Sequence, residues 1–168
     1  MKTAEQEERS KLADSNQLEL LLFRLGESSH NDQRELFAIP VAKLREVLVM
    51  PALTVLAQCP VHMMGVANIR GQIIPVIDLP ALVGCNPSQG RNILMVTELA
   101  GTVQGFAVEE VNEIVRMEKD QLLPADASQG GALITGIARV DGDQADTRLA
   151  QVLDVELILK NVMPARGR

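Results

Sequence analysis

Short aliphatic runs separated by turn signals are the feature that most restricts the fold of this chain. Stretches such as LELLLFRL, IIPVIDL and ALITGIARV are bounded by Gly, Pro or polar residues. Runs of this kind, rich in Val, Ile and Leu, are typical of β-strands. We count about seven to ten of them, with no alternation of strands and long helices that would indicate a parallel sheet. The pattern predicts a mainly β fold, either a barrel or a pair of small barrels, because closure removes exposed sheet edges.

Composition indicates an aliphatic core. Hydrophobic residues make up 46% of the 168 residues, yet the chain has three Phe and no Trp or Tyr. This length fits one domain, or two small lobes that share a core. The net charge of -6 argues against binding to nucleic acid, which needs a basic surface.

The ends of the chain and its cysteines suggest a simple organisation. Residues 1–16 are polar and predict a tail, residues 17–164 the folded domain, and residues 165–168 a C-terminal end without a further domain. The N-terminus lacks the apolar core of a signal peptide, and no apolar run reaches the length of a membrane span. The two cysteines, Cys59 and Cys85, are too few for a disulfide scaffold. We therefore expect a soluble cytoplasmic protein with reduced thiols.

Several local elements can be predicted in the first half of the chain. LELLLFRL and RELFAIP predict a hairpin joined by the polar loop ESSHNDQ. VAKLREVLV predicts a helical turn that runs into a strand. PALTVLAQCPVHMMG, with two prolines and few charges, predicts a packed loop. Pro75 places the following strand, IIPVIDL, at an edge or a bulge.

The second half predicts more strands and a closing helix. Ala100-Gly101 and Asp141-Gly142 are hairpin turn signals between short apolar runs. DVELILKNVM has apolar residues at helical spacing, and Asp154 is a candidate N-cap.

Residues that could carry chemistry are few. His62 lies close to Cys59, but a structural zinc site needs four ligands and no second Cys/His pair is present. His30 lies in a polar loop and is interpreted as a surface residue. No phosphate-binding, serine-hydrolase or zinc-protease motif is found. Three carboxylates cluster in QGFAVEEVNEIV, and we interpret them as a solvated face rather than an acid/base pair: Glu109, Glu110 and Glu113.

The most distinctive stretch is GVANIRGQIIPVIDL, which contains an Arg-Gly turn between apolar residues. Gly71 permits a backbone geometry that other residues rarely adopt. Arg70 carries five N–H donors and suits a partner's carboxylate or carbonyl groups. It could equally pair within its own domain, and the residues alone do not decide between these roles.

This stretch resembles the signature of CheW-like domains. The likeness extends to LFAIPVAKLREVL with its Lys-x-x-Glu element, to GFAVEEVNEIVRM, and to LAQVLDVELIL, in the order of the family. Within the family the chain is most similar to the N-terminal coupling domain of CheV proteins. Those proteins continue into a receiver domain, for which this chain has no room after Arg168. We therefore expect either one domain of a CheV-like protein or a free-standing adaptor.

The resemblance implies a fold of two intertwined five-stranded SH3-like β-barrels around a shared core, with a short C-terminal helix. It implies no catalytic activity, cofactor or metal. The implied role is to couple the cytoplasmic tips of chemoreceptors (methyl-accepting chemotaxis proteins) to the regulatory domain of the kinase CheA at membrane-associated receptor arrays. No nucleic acid binding or direct membrane insertion is implied. The positions implied for protein binding are Lys43, Leu44, Glu46, Asn68, Arg70, Gly71, Gly105, Val111 and Ile114.

Three other functions stay open at this point. An adaptor of a related pathway, such as type IV pilus twitching motility, would use the same fold. A β-barrel enzyme with a dispersed active site would instead bring perturbed titrating groups together in a pocket. The chain could also be a regulatory part of a larger kinase.

Overall fold

The computed structural model describes Ala4 and residues 16–29, 34–125, 133–141 and 147–162. Within them lie two 3-10 turns, Val41–Lys43 and Lys119–Gln121, and two short helices, α1 (Leu79–Val83) and α2 (Val155–Val162). The strands are β1 (Gln17–Ser28), β2 (Arg34–Pro40), β3 (Leu44–Val49), β4 (Leu53–Thr54), β5 (Met63–Ile69), β6 (Gln72–Asp78), β7 (Cys85–Asn86), β8 (Ile93–Leu99), β9 (Thr102–Val108), β10 (Glu110–Glu118), β11 (Leu122–Pro124), β12 (Ile134–Arg139) and β13 (Leu149–Leu153).

The strands form two sheets. One has seven strands in the order β10-β1-β2-β13-β12-β11, with β7 paired to β1, and the other has six in the order β3-β8-β9-β6-β5-β4. The predicted mainly β class is confirmed. The expected pair of closed five-stranded barrels is not, because the edge strands of the described sheets are not joined by a ladder. Short strands such as β4, with two residues, and β11, with three, extend the sheets but pair on one side.

The chain crosses between the sheets at four points. β2 runs through Val41–Lys43 into β3, β6 runs through α1 into β7, β7 leads back to β8, and β9 runs past Glu109 into β10. The sheets are therefore interleaved in sequence. Their packing produces three apolar clusters: one inside each curled sheet, and a larger one between them that we call the shared core. The shared core is centred on Leu21, Phe23, Leu25, Phe37, Ile39, Ile77, Leu79, Met95, Phe106, Val108, Leu153, Val155 and Ile158.

Each sheet also contains one parallel pair, β2 with β13 and β6 with β9. Neither sheet is a parallel sheet, as expected, but each is mixed, and the sequence did not indicate the single parallel pair. The missing alternation of strands and helices was a poor guide here, because β2 and β13 come from opposite ends of the chain and need no direct helical crossover.

Several local predictions are confirmed. VAKLREVLV forms a 3-10 turn followed by β3. Ala100 and Gly101 both have positive φ angles, 49° and 80°, as a tight hairpin turn requires. Asp154 caps α2, since the backbone N–H of Leu157 donates to its carboxylate at 3.1 Å.

Two local predictions are wrong. Pro75 does not lie at an edge, because β6 runs between β5 and β9, and the register shift of the β5–β6 ladder lies next to it, opposite Val76 and Ile77, rather than at Pro75 itself. The chain tolerates Pro75 because pairing with β9 begins only at Val76. PALTVLAQCPVHMMG is not a packed loop. It contains β4 and the start of β5, and it leaves Val55 and Val61 largely exposed. Two prolines and a low charge indicated irregular structure there but not burial.

Some predictions lie outside the described residues. They are the polar tail apart from Ala4 and Asn16, the part of the first hairpin loop that holds His30, the turn residue Gly142, and the end 165–168. Among the described residues, no helix is long and apolar enough to cross a membrane.

Candidate functional site

The Arg-Gly turn between β5 and β6 adopts the geometry that the sequence indicated. Arg70 and Gly71 have positive φ angles of 51° and 85°. Asn68 stabilises the turn, because its side-chain oxygen accepts a hydrogen bond from the backbone N–H of Gly71 at 3.0 Å. A Cβ on Gly71 would meet no atom within 4 Å, so the glycine is needed for its backbone angle alone. The turn thus displays Arg70 in an uncommon, fixed backbone conformation.

The side chain of Arg70 contacts the opposite end of the six-stranded sheet. Its Nη2 lies 2.5 Å from Oε1 of Glu46 on the edge strand β3. A second contact follows the same path, from Nη1 of Arg45 to Oε1 of Gln72 at 3.0 Å. These side chains join the edge strand β3 to the β5–β6 hairpin of a sheet that no backbone ladder closes. Arg70 therefore does pair within its own domain, but its side chain remains 68% exposed and can also contact a partner.

Strand β3 is an edge strand of the six-stranded sheet, and its apolar residues extend the face that packs on the shared core. Leu44 packs against this core, and a register shift between Leu44 and Glu46 changes the alternation that follows. Val47 and Val49 are then paired with Met95 and Ile93, both of which pack in the shared core. Directly paired residues project from the same face of a sheet.

Val47 and Val49 nevertheless remain in contact with solvent, Val49 with 76% of its surface exposed. The apolar face of the six-stranded sheet therefore continues past the covered core to its β3 edge.

Strand β10 shows the same arrangement at the edge of the seven-stranded sheet. Val111 is paired with Phe23 and Ile114 with Leu21, and both partners belong to the shared core. Val111 is partly buried against that core, whereas Ile114 is 56% exposed. The shared core thus has uncovered apolar margins on the free edges of both sheets, which we call the β3 margin and the β10 margin.

Gly105 lies in the interior rather than on a surface. It is a buried residue of β9, where an added Cβ would come within 2.9 Å of Cδ1 of Leu94 and 3.2 Å of the Pro75 carbonyl oxygen. Its position indicates that the absence of a side chain lets β6 and β8 pack on either side of β9. Any effect of Gly105 on a partner would be transmitted through this packing.

Lys43 lies beside a cavity of about 350 Å³. Its Nζ is 3.8 Å from Oε1 of Glu156 in the first turn of α2. The other lining residues are Leu18, Pro40, Lys119, Leu122, Thr135, Val152, Leu153 and Asp154. Charges of both signs border an apolar floor, so the cavity has no marked preference for an anion or a cation.

The carboxylates of the β9–β10 crossing differ from one another, and the interpretation as a solvated face was wrong for Glu109. Glu109 is buried and ion-paired with Arg34, and it also accepts a hydrogen bond from the backbone N–H of Gln89 at 3.2 Å. Glu110 and Glu113 are more exposed and form ion pairs at the surface. The Arg34 pair could not be predicted, because 75 positions separate the two residues.

The described residues offer little for catalysis or metal binding. They contain no group of three or more His, Cys, Asp or Glu that could hold a metal ion. Cys59 and Cys85 are both free thiols. Burial, reinforced by the negative charges of Glu35 and Glu109, raises the pKa of Cys85 to about 11, which makes this thiol a poor nucleophile.

Comparison with known proteins agrees with these observations. Residues 19–163 match the family described as CheW-like domain. A probable chemotaxis protein CheW of Rhizobium etli is 29% identical over 108 residues, which are 63% of this chain and 65% of that protein. The chemotaxis protein CheV3 of Helicobacter pylori is 29% identical over 155 residues, 88% of this chain and 49% of that protein. The matches span less than two thirds of the length of both relatives.

A solved structure shows the same fold. The scaffolding protein TtCheW of Thermoanaerobacter tengcongensis superimposes with a TM-score of 0.70 over 85% of this chain and 92% of that one, at 23% sequence identity. At this identity the likeness supports the fold alone.

Proposed function

The chain belongs to the family of CheW-like domains, and from this premise we propose that it is a non-enzymatic adaptor of bacterial chemotaxis. It would bind the cytoplasmic tip of a chemoreceptor and the regulatory domain of the kinase CheA at the same time. The names of its relatives support the pathway, since both are chemotaxis proteins.

The observation that carries the proposal is the pair of apolar margins at the free sheet edges. A soluble domain leaves such surface uncovered where a partner binds. The receptor tip is helical, and an amphipathic helix docks by laying its apolar face into a groove or against an apolar surface. We propose that Leu44 and Val111 form the floor of this contact, with Val47 and Ile114 beside them.

The polar residues of the site would supply direction. Arg70 is largely exposed and paired with Glu46 on β3, Asn68 holds the turn that carries Arg70, and Lys43 lies in the 3-10 turn that leads into β3. Charged groups at the rim of an apolar interface fix orientation and exclude wrong partners more than they add affinity. In this arrangement Gly71 shapes the turn and Gly105 supports the sheet from within.

Coupling would follow from simultaneous binding. A receptor that changes between two arrangements can shift the conformational equilibrium of the kinase only if the adaptor makes different contacts with the two receptor arrangements. Each interface can be modest, because several linked contacts in an array reinforce one another.

Co-sedimentation with a receptor signalling tip and the regulatory domain of CheA tests the proposal. We expect wild type to bind both, and Ile114→Glu to lose receptor binding because a charge would be buried on the β10 margin. Leu149→Glu is the matched control, since Leu149 is 55% exposed and lies on β13 of the same sheet, away from the edge. The proposal fails if wild type binds neither partner, or if both variants lose binding equally while remaining folded by circular dichroism.

A further inference from the structure

Arg148, which immediately precedes β13, donates hydrogen bonds to two carboxylates at the same time. Its Nε lies 3.0 Å from Oδ2 of Asp141, and its Nη2 lies 3.2 Å from Oδ1 of the same residue, so the guanidinium binds this carboxylate in a bidentate manner. The backbone N–H of Arg148 also donates to Oδ2 of Asp141 at 3.2 Å. Nη2 reaches farther, to Oε1 of Glu113 at 2.8 Å.

The two carboxylates belong to different parts of the seven-stranded sheet. Asp141 follows β12, so its bonds with Arg148 fasten the end of the β12–β13 hairpin. Glu113 lies on β10, an edge strand whose one ladder partner among the described strands is β1. In the strand order, β1 and β2 separate β10 from the hairpin. The contact between Arg148 and Glu113 therefore spans the concave side of the curled sheet.

We propose that Arg148 is a positioning residue that holds the free edge of β10 against the β12–β13 hairpin and so places the β10 margin for docking. Glu113 is adjacent to Ile114 and two positions from Val111, so a shift of β10 at Glu113 moves both residues of the margin. The inference rests on the proposed function for the partner, but the anchoring of β10 is a property of the domain alone.

The electrostatic effect of the contact agrees with its geometry. The hydrogen bonds from Arg148 hold the pKa of Asp141 below its usual value. A simple exposed ion pair often contributes nothing measurable, because two flexible side chains lose freedom to form it. Here the bidentate hydrogen bonds with Asp141 already hold the guanidinium in place. The entropic cost of its additional contact with Glu113 is therefore lower.

The chain offers a close control on the same strand. Arg116, also on β10, lies 3.6 Å from Glu19 on β1, and these two residues are already paired in the β1–β10 ladder. Removal of Arg116 deletes an exposed ion pair from β10 but leaves the link to the hairpin intact. Arg148→Lys is the second comparison, because a lysine keeps the positive charge but cannot form the bidentate hydrogen bonds with Asp141.

Hydrogen–deuterium exchange of the isolated domain tests the anchoring. We expect Arg148→Ala to speed exchange of backbone amides in residues 110–118 by about two- to fivefold, the range that corresponds to a measurable surface ion pair. Arg116→Ala should change it less, and Arg148→Lys should fall in between. The difference between Arg148→Ala and wild type should shrink in about 1 M salt, where charges are screened within about 3 Å. Equal exchange in the Arg148→Ala and Arg116→Ala variants would overturn the inference.

Binding to a receptor signalling tip tests the consequence. Arg148→Ala should weaken binding by a similar factor, with Arg116→Ala close to wild type. Faster exchange with unchanged binding would overturn the positioning role. If wild type does not bind the tip at all, the proposed function fails, while the exchange experiment still decides whether Arg148 anchors β10.

Discussion

Arg70 lies 2.5 Å from Glu46 although β8, β9 and β6 separate their strands in the sheet order. The six-stranded sheet must therefore curl until its β3 edge meets the β5–β6 turn. In a closed barrel, backbone hydrogen bonds would join the two edges of the sheet. Here a side-chain ion pair connects the β3 edge to the β5–β6 turn instead. The pair includes Glu46 of β3, so the largely exposed Arg70 side chain lies beside the β3 margin.

Arg70→Ala should leave the domain folded but weaken ternary assembly with receptor tip and kinase. The ion pair is largely exposed, so its loss should lower the free energy of unfolding by at most about 1 kcal/mol. Chemical denaturation measures the stability and co-sedimentation measures the assembly. The exchanged pair, Glu46→Arg with Arg70→Glu, should recover stability but not binding. Unfolding of Arg70→Ala would instead make the residue structural.

Gly105→Ala should destabilise the domain by about 1–3 kcal/mol, because the new methyl group overpacks the interior. The nearest atom would be Cδ1 of Leu94, at 2.9 Å. Leu94→Val removes that atom and should relieve part of the strain, so the double variant should be more stable than the sum of the single effects predicts, by at least about 0.5 kcal/mol. Strict additivity in urea denaturation would show that Leu94 is not the obstacle.

Arg34→Ala should destabilise the domain more than Glu109→Gln does. The first substitution leaves the buried Glu109 carboxylate without its cation, which costs about 1–3 kcal/mol, whereas the amide keeps the shape and removes the charge. Thermal unfolding at neutral pH measures both. Arg116→Ala serves as the surface control and should stay within about 0.5 kcal/mol of wild type. The reverse order for Arg34 and Glu109 would contradict the buried-pair interpretation.

Cys85 should react slowly with thiol reagents in the folded protein. With its pKa raised to about 11 by burial, only about one molecule in a thousand carries the thiolate at pH 8. Alkylation followed by mass spectrometry should therefore label Cys59 first, with Cys85 labelled only on unfolding. A Cys59→Ser variant isolates the slow thiol, and rapid native labelling of this variant would contradict the prediction.

The same thiol should affect stability at alkaline pH. Because its pKa is higher in the folded state than the unfolded value near 9, the folded state keeps the proton longer. The stabilising contribution is complete below about pH 9 and is lost as pH rises toward 11. Cys85→Ser should flatten that part of the pH–stability curve; an unchanged slope would exclude this cause.

Local chemistry in the sequence predicted the elements better than it predicted their arrangement. The Arg70–Gly71 turn, the Ala100–Gly101 turn and the Asp154 cap each depend on neighbouring residues, so their signals are visible in the sequence. The position of Pro75 in an internal strand depends on β9, which lies far along the chain, and no local rule contains it.

The candidate site divides in the same way. The Arg70 turn was visible as an unusual motif, whereas its pairing with Glu46 arises from the curl of the sheet. The exposure of Val49 and Ile114 likewise could not be predicted from their apolar character, because it depends on both strands being edges. The burial of Glu109 depends on Arg34 from a distant strand.

The repeated crossing of the chain between the sheets has a consequence for how the domain folds. β1 cannot complete its pairing until β10 is present, since Gln17 is opposite Glu118, and β2 waits for β13. Contacts so distant in sequence make folding slow, on a scale of milliseconds to seconds for such topologies. A fragment that ended after β9 would lack β10 as the partner of β1 and β13 as the partner of β2. The domain should therefore fold and unfold as one cooperative unit, with no point at which one sheet can be cut from the other.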